Sequence, residues 1–160
     1  MEGLVPYLIF LHVLAAIAAF GPTFVFATIG AAGRAEPQHA NFGTRVSHTI
    51  SSRFVYPIGI TLPITGLAIM GILQINPLDR AFWWLGIAIV LYAATFGYSF
   101  FVQRPLVERA IELTSSPPPP GASGPPPELM AIGKRIGQGG MVMGILLIVI
   151  VFLMVVKPQF

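Results

Sequence analysis

Four long apolar runs alternate with shorter polar stretches along the chain, at residues 4–30, 54–75, 81–103 and 137–156. A hydrocarbon core of about 30 Å takes roughly 20 residues of helix, so each run is long enough to cross a bilayer. Formal charges stand only at their edges, as Arg53 does before the second run and Arg104 after the third. The pattern predicts an all-α polytopic membrane protein: one domain, 1–160, built as an antiparallel bundle of four transmembrane helices.

The stretches between the runs also carry periodicity. Phe42, Val46, Ile50 and Phe54 recur every four residues, so a helix is expected to begin near Asn41 and continue into the second span. Its opposite face carries Arg45, His48, Ser51 and Ser52, and the four-residue spacing makes His48 and Ser52 neighbours. That face is read first as a solvated or headgroup-facing surface; a cytoplasmic ligand site, or an Arg53–Glu108 ion pair, is the alternative. After the third span, Leu106, Ala110 and Leu113 form a stripe with Glu108, Arg109 and Glu112 mostly off it, which predicts an amphipathic interfacial extension. The segment SSPPPPGASGPPPE, 115–128, is excluded from helix and strand by its prolines and is read as a stiff linker.

Two spans have unusual backbones. The second contains Pro57 and Pro63, with Gly59, Gly66 and Gly71. Each internal proline frees a carbonyl, and Thr61 and Thr65 are placed to help satisfy the exposed groups. The fourth begins GKRIGQGGMVMG. Gly133 with Gly137, and Gly140 with Gly144, make small-xxx-small pairs that permit close helix approach, either inside the bundle or in self-association.

Composition fixes the solvent. With 55% hydrophobic residues, 9% charged residues and a mean hydropathy of +0.80, too few polar groups exist to coat a soluble domain of this size. The first run is read as a retained span, because its one early charge is Glu2 and it is longer than a signal-peptide core. No cysteine occurs, which excludes disulfides, thiolate metal sites and cysteine nucleophiles. Arg34, Arg45, Arg53, Arg104, Arg109, Lys134 and Arg135 flank the first and third loops, against Arg80 and Lys157 on the other side. This bias predicts both termini outside and loops 1 and 3 in the cytoplasm. Trp83, Trp84 and Tyr7 fit an outer aromatic belt. The net charge of +3 is read as contact with anionic lipid heads, and no nucleic-acid partner is expected.

The chemistry-bearing inventory is thin. All six acids lie outside the spans or at their margins, and no histidine pair has a helical zinc spacing. A non-enzymatic role is the expectation. The exception to the apolar pattern is His12, about 9 Å inside the first span by helical rise. It has two main readings, besides a metal or small-ligand site. One is a neutral imidazole bonded across helices to a carbonyl, Thr or Tyr, for which the stripe Ala15, Ala16, Ala19 and Thr23 offers a close contact. The other is an axial ligand of haem b, with Met70 or Met154 at a similar depth as partner.

The stretches FLHVLAAIAAFGPTF, SSRFVYPIGITLPITGLAIM and WWLGIAIVLYAATFGYSFFVQRP, followed by a glycine-led span, resemble a family of bacterial integral membrane proteins called domain of unknown function 2269. Leu11 with His12, Pro63 to Gly66, and Trp84 with Leu91 and Tyr92 carry the likeness, which covers nearly the whole chain outside the proline linker. It implies a four-span bundle in a bacterial inner membrane and no defined chemistry. A fainter likeness joins the leading LH to four-span haem-binding membrane proteins. Membrane protoporphyrinogen oxidase is similar there but adds an intramembrane lysine, whereas the third span here offers Tyr92 and Tyr98. The expected role is a structural or accessory bundle in the lipid bilayer, forming a homo-oligomer or joining a larger membrane complex; electron transfer or porphyrin chemistry on a haem is the alternative.

Overall fold

A computed structural model describes residues 2–115 and 124–158. Residues 116–123 of the proline-rich linker lie outside the described residues. Six α-helices occur among the described residues: α1 (Val5–Ala35), α2 (Ala40–Ile50), α3 (Tyr56–Leu73), α4 (Trp83–Tyr98), α5 (Arg104–Ser115) and α6 (Pro127–Val156). The ends of the linker are helical against expectation, Ser115 closing α5 and Pro127 and Glu128 opening α6, where a proline in the first turn gives up no hydrogen bond. No strand occurs among the described residues. Helices α2 and α3 run on through a π-helical turn at Ser51–Val55, and α4 and α5 through another at Ser99–Gln103. The result is four continuous rods, Val5–Ala35, Pro37–Leu73, Arg80–Ser115 and Pro127–Val156, each long and apolar enough to cross a membrane.

The two π-helical turns have the same cause. Each ends two residues before a proline, Pro57 in one case and Pro105 in the other. A proline has no N–H to give the preceding turn and its ring crowds that turn's carbonyl, so widening the helix by one residue relieves the clash. The backbone follows this pattern: the Tyr56 N–H donates to the Ser51 carbonyl, and the Arg104 N–H to the Ser99 carbonyl, each five residues back.

The rods form a ring. α1 packs along α3, α4 along α6, and α1 also touches α6. The α3 and α4 backbones stand further apart, and aromatic side chains fill the space between them. Tyr56 meets the edges of Phe96 and Phe100 at centroid distances of 6.1 and 5.5 Å, and Tyr92 stacks on Phe96 at 5.8 Å. Gly59 on α3 makes this row fit, since a Cβ there would stand 2.8 Å from Phe96 Cε2.

Most large apolar side chains face outward, among them Tyr7, Phe10, Ile17, Leu67, Val90, Phe101 and Met141. In water such a surface would drive aggregation; in a bilayer it is the solvent contact. Inside, a cluster joins Trp84, Leu85, Ala88 and Leu153, with Met70, Ile75, Leu91 and Met154 packed around it. Trp84 therefore departs from the expected aromatic belt: it is 7% exposed, buried where α4 meets α6. Tyr7 is 69% exposed.

The helix expected from Asn41 into the second span is present, starting at Ala40. The extension after the third span is α5, but it is packed on α2 and α6 through buried Ala110 rather than lying free along the lipid surface. Asn41 fastens it, donating to the Ile111 carbonyl at 3.3 Å and to Thr114 Oγ1 at 2.7 Å.

Candidate functional site

His12 sits on the face of α1 that packs along α3. Its Nδ1 is 2.8 Å from Thr65 Oγ1. Its Cε1 lies 3.4 Å from the point a Gly66 Cβ would occupy, so the imidazole rests against the bare backbone of α3. Thr65 has one hydroxyl proton and two carbonyls of its own helix in reach, Thr61 at 2.9 Å and Leu62 at 3.1 Å. When it donates to either, it accepts from Nδ1–H, and Nε2 keeps its lone pair. The small residues beside His12 do the expected work of close approach, with Ala19 buried to 3% exposure. Met70 and Met154 both pack against the Trp84 cluster. On α3, His12 meets Thr65, Gly66 and the Leu62 backbone.

The second span solves its proline problem with a residue from the third. Pro63 cannot donate to the carbonyl four residues back, which belongs to Gly59. Tyr92 of α4 donates its hydroxyl to that carbonyl at 2.7 Å. Thr61 in turn donates to the Ile58 carbonyl at 2.7 Å. The sequence points to Thr61 and Thr65 as helpers and not to Tyr92; the signal available is a phenol at the middle of an apolar span.

At the arginine-rich end, α2 and α5 are joined by a polar cluster. Glu108 Oε1 accepts from Arg104 Nε at 2.8 Å and lies 3.2 Å from His48 Nε2. Ser52 Oγ is 3.3 Å from the same His48 nitrogen, so the expected His48–Ser52 adjacency holds. Glu108 is taken up by Arg104 and His48; the anticipated Arg53–Glu108 pair is not formed, and Arg53 is exposed. The Arg104 guanidinium hydrogen-bonded to Glu108 holds its carboxyl below the usual carboxylate range. Ser, His and Glu have the composition of a hydrolytic triad, but a relay needs the serine on one ring nitrogen and the carboxylate on the other. Here both meet Nε2, so the trio is a tether and not a nucleophile–base pair. Just below it, Tyr56 donates to the Ser99 carbonyl at 3.1 Å, joining the two π-helical turns.

The glycines of α6 divide by face. Gly139 is buried, and a Cβ there would come within 2.6 Å of both Gln103 Oε1 and Tyr98 Oη. Gln103, 9% exposed, donates Nε2 to the Ile136 carbonyl at 2.8 Å, which clamps the third rod to the fourth. The four glycines singled out in the sequence lie elsewhere. A Cβ at Gly133, Gly137, Gly140 or Gly144 meets nothing within 4 Å. The internal packing expected of them falls instead on Gly139 with Ile132, Met143, Leu147, Ile150 and Leu153. No cluster of three or more metal-ligating side chains occurs among the described residues.

No curated protein and no solved structure matches the chain. Residues 6–158 match the DUF2269 family, described as predicted integral membrane protein. Within this chain, the elements that carry the family likeness meet in space: His12 rests on Thr65 and Gly66, and Tyr92 caps the carbonyl freed by Pro63. With the match spanning nearly all of its length, the chain belongs to the DUF2269 family of predicted integral membrane proteins.

Proposed function

We propose that this protein is a structural or accessory membrane subunit that acts through helix association in the bilayer, pairing with a second copy along the outer face of α6. The observation that carries this is the position of Gly133, Gly137, Gly140 and Gly144. Their spacing of four, three and four residues makes one stripe, and none has a neighbour inside its own bundle. Exposed Met141, Ile145 and Ile148 flank it. Small residues on a lipid-facing helix let two backbones approach, and that packing is a main source of helix association in membranes. The test is crosslinking in reconstituted vesicles. The wild type gives a dimer, and Gly140→Leu with Gly144→Leu gives monomer with an unchanged helical spectrum. A dimer that survives both leucines, or a wild type that never crosslinks, overturns the reading.

The same reading puts the arginine-rich end in the cytoplasm of a bacterial cell, on the inner membrane, with both termini outside. It rests on the bias of seven basic residues against two. Because the chain has no cysteine, single cysteines report sidedness cleanly: Gln38→Cys is labelled by an impermeant maleimide only after lysis, and Asn76→Cys in intact cells.

Haem b on His12 is the second reading, favoured by Thr65 meeting the imidazole at Nδ1 and not at Nε2, the nitrogen a metal would meet. The imidazole's seat against Gly66 supports the interhelical contact instead. A Soret band in protein purified after growth with ample haem, lost in His12→Ala, would carry the haem reading; its absence removes it.

A further inference from the structure

We propose that the arginine-rich end is a binding surface for anionic phospholipid headgroups, formed by Arg34, Arg45, Arg53, Lys134 and Arg135. Seven of the nine basic residues stand at this end together with four of the six acids. The structure shows which of them are paired. Glu108 is held by Arg104 and His48, Glu112 and Glu128 by Arg109, and Glu36 by His39. Every acid at this end is thus taken up by Arg104, Arg109 or a histidine. Arg34, Arg45, Arg53, Lys134 and Arg135 are all exposed, and none forms an ion pair among the described residues.

Their depth selects the partner. Arg53 immediately precedes Phe54, which is 47% exposed, and Phe101 at the end of the third apolar run is 75% exposed. Lys134 and Arg135 stand directly before the glycine-led apolar part of α6. Arg45 lies about 12 Å further along its rod than Arg53, within roughly a Debye length of the headgroup plane. Cation above and exposed apolar side chain below match a molecule with phosphate at one end and acyl chains at the other. A soluble anion would use only the first half of that surface. Long basic side chains reach the headgroups while their stems lie along the hydrocarbon.

The probe is the purified protein in phosphatidylcholine vesicles doped with spin-labelled phosphatidylglycerol or spin-labelled phosphatidylcholine, reading the motionally restricted fraction of each. A basic residue near an anionic surface is worth about 1 kcal/mol, or about fivefold. The wild type is expected to restrict phosphatidylglycerol about fivefold more strongly at low salt, with the preference collapsing at high salt. Replacing the five residues together by glutamine brings the ratio to about one with the helical spectrum unchanged. The opposite-end variant Arg80→Gln/Lys157→Gln keeps the preference. Equal restriction of the two lipids by the wild type overturns the proposal and leaves the cations to an acidic protein partner. A preference that survives the five-residue variant, or is lost in the opposite-end variant, overturns it as well. The measurement is independent of self-association, because the α6 leucine variants retain all five cations.

Discussion

Two adjacent glycines of α6 should respond in opposite directions to the same substitution. At Gly139 a methyl group would stand 2.6 Å from Gln103 Oε1 and from Tyr98 Oη; at Gly140 it would meet nothing within 4 Å. The atoms in the way are the ends of side chains, so the helix need not move, but neither neighbour is free to swing at no cost. Gln103 is held by its 2.8 Å bond to the Ile136 carbonyl, and interhelical hydrogen bonds in membranes are worth about 1 kcal/mol. Displacing the Tyr98 ring adds about 1 kcal/mol, the lower end of the cost of overpacking. Both variants share the gain of alanine over glycine in a helix, up to about 1 kcal/mol. The difference between them therefore isolates the steric cost. Gly139→Ala should be about 2 kcal/mol less stable than Gly140→Ala, with the wild type between. Titration of detergent micelles with SDS, followed by circular dichroism under monomeric conditions, measures this difference. Equal stabilities, or Gly140→Ala as the weaker variant, would refute the assignment of Gly139 to the bundle interior.

Three further outcomes follow from the same contacts. Tyr92→Phe leaves the Gly59 carbonyl without its donor and should cost about 1 kcal/mol, whereas in the background of Pro63→Ala, whose N–H can serve that carbonyl, the cost should largely vanish; a purely additive double-mutant cycle in SDS unfolding counts against the account. Thr65→Val keeps the shape but removes the His12 partner, and should lower stability by roughly 0.6–1.7 kcal/mol, an effect absent when His12 is already alanine. Glu108 is depressed by its bond to Arg104, so the tether between α2 and α5 is at full strength above the ordinary glutamate value and is lost as pH falls through the lowered one. Spin labels on α2 and α5 should accordingly separate only in acid, and in Glu108→Gln their distance should not change with pH.

Much of the architecture is legible in the residues. Four runs of sufficient length, nearly free of charge, are enough to predict four spans, because a bilayer tolerates few other solutions for an apolar chain. The four-residue rhythm from Phe42 to Phe54 predicts the early start of the second rod, since helical periodicity is local. Both π-helical turns lie just before a proline, at 57 and 105, whereas α1 and α3 stay α-helical through Pro22 and Pro63.

Which groups meet is set by the packing of the helices. In a lipid-facing helix both the inner and the outer surfaces are apolar, so the sequence carries almost no amphipathic signal to tell them apart. For that reason the glycine spacing marked Gly133, Gly137, Gly140 and Gly144, while packing uses their neighbour Gly139 for the contact with Gln103 and Tyr98. Trp84 is buried rather than belted for the same reason: its type allows either place, and the meeting of α4 with α6 chooses. His12 was conspicuous as a residue, but its partner lies fifty-three positions away, and no local rule spans that distance. The membrane and the number of spans follow from local composition. The pairing of His12 with Thr65, Tyr92 with Gly59 and Glu108 with both Arg104 and His48 depends on how the helices rotate and seat against one another.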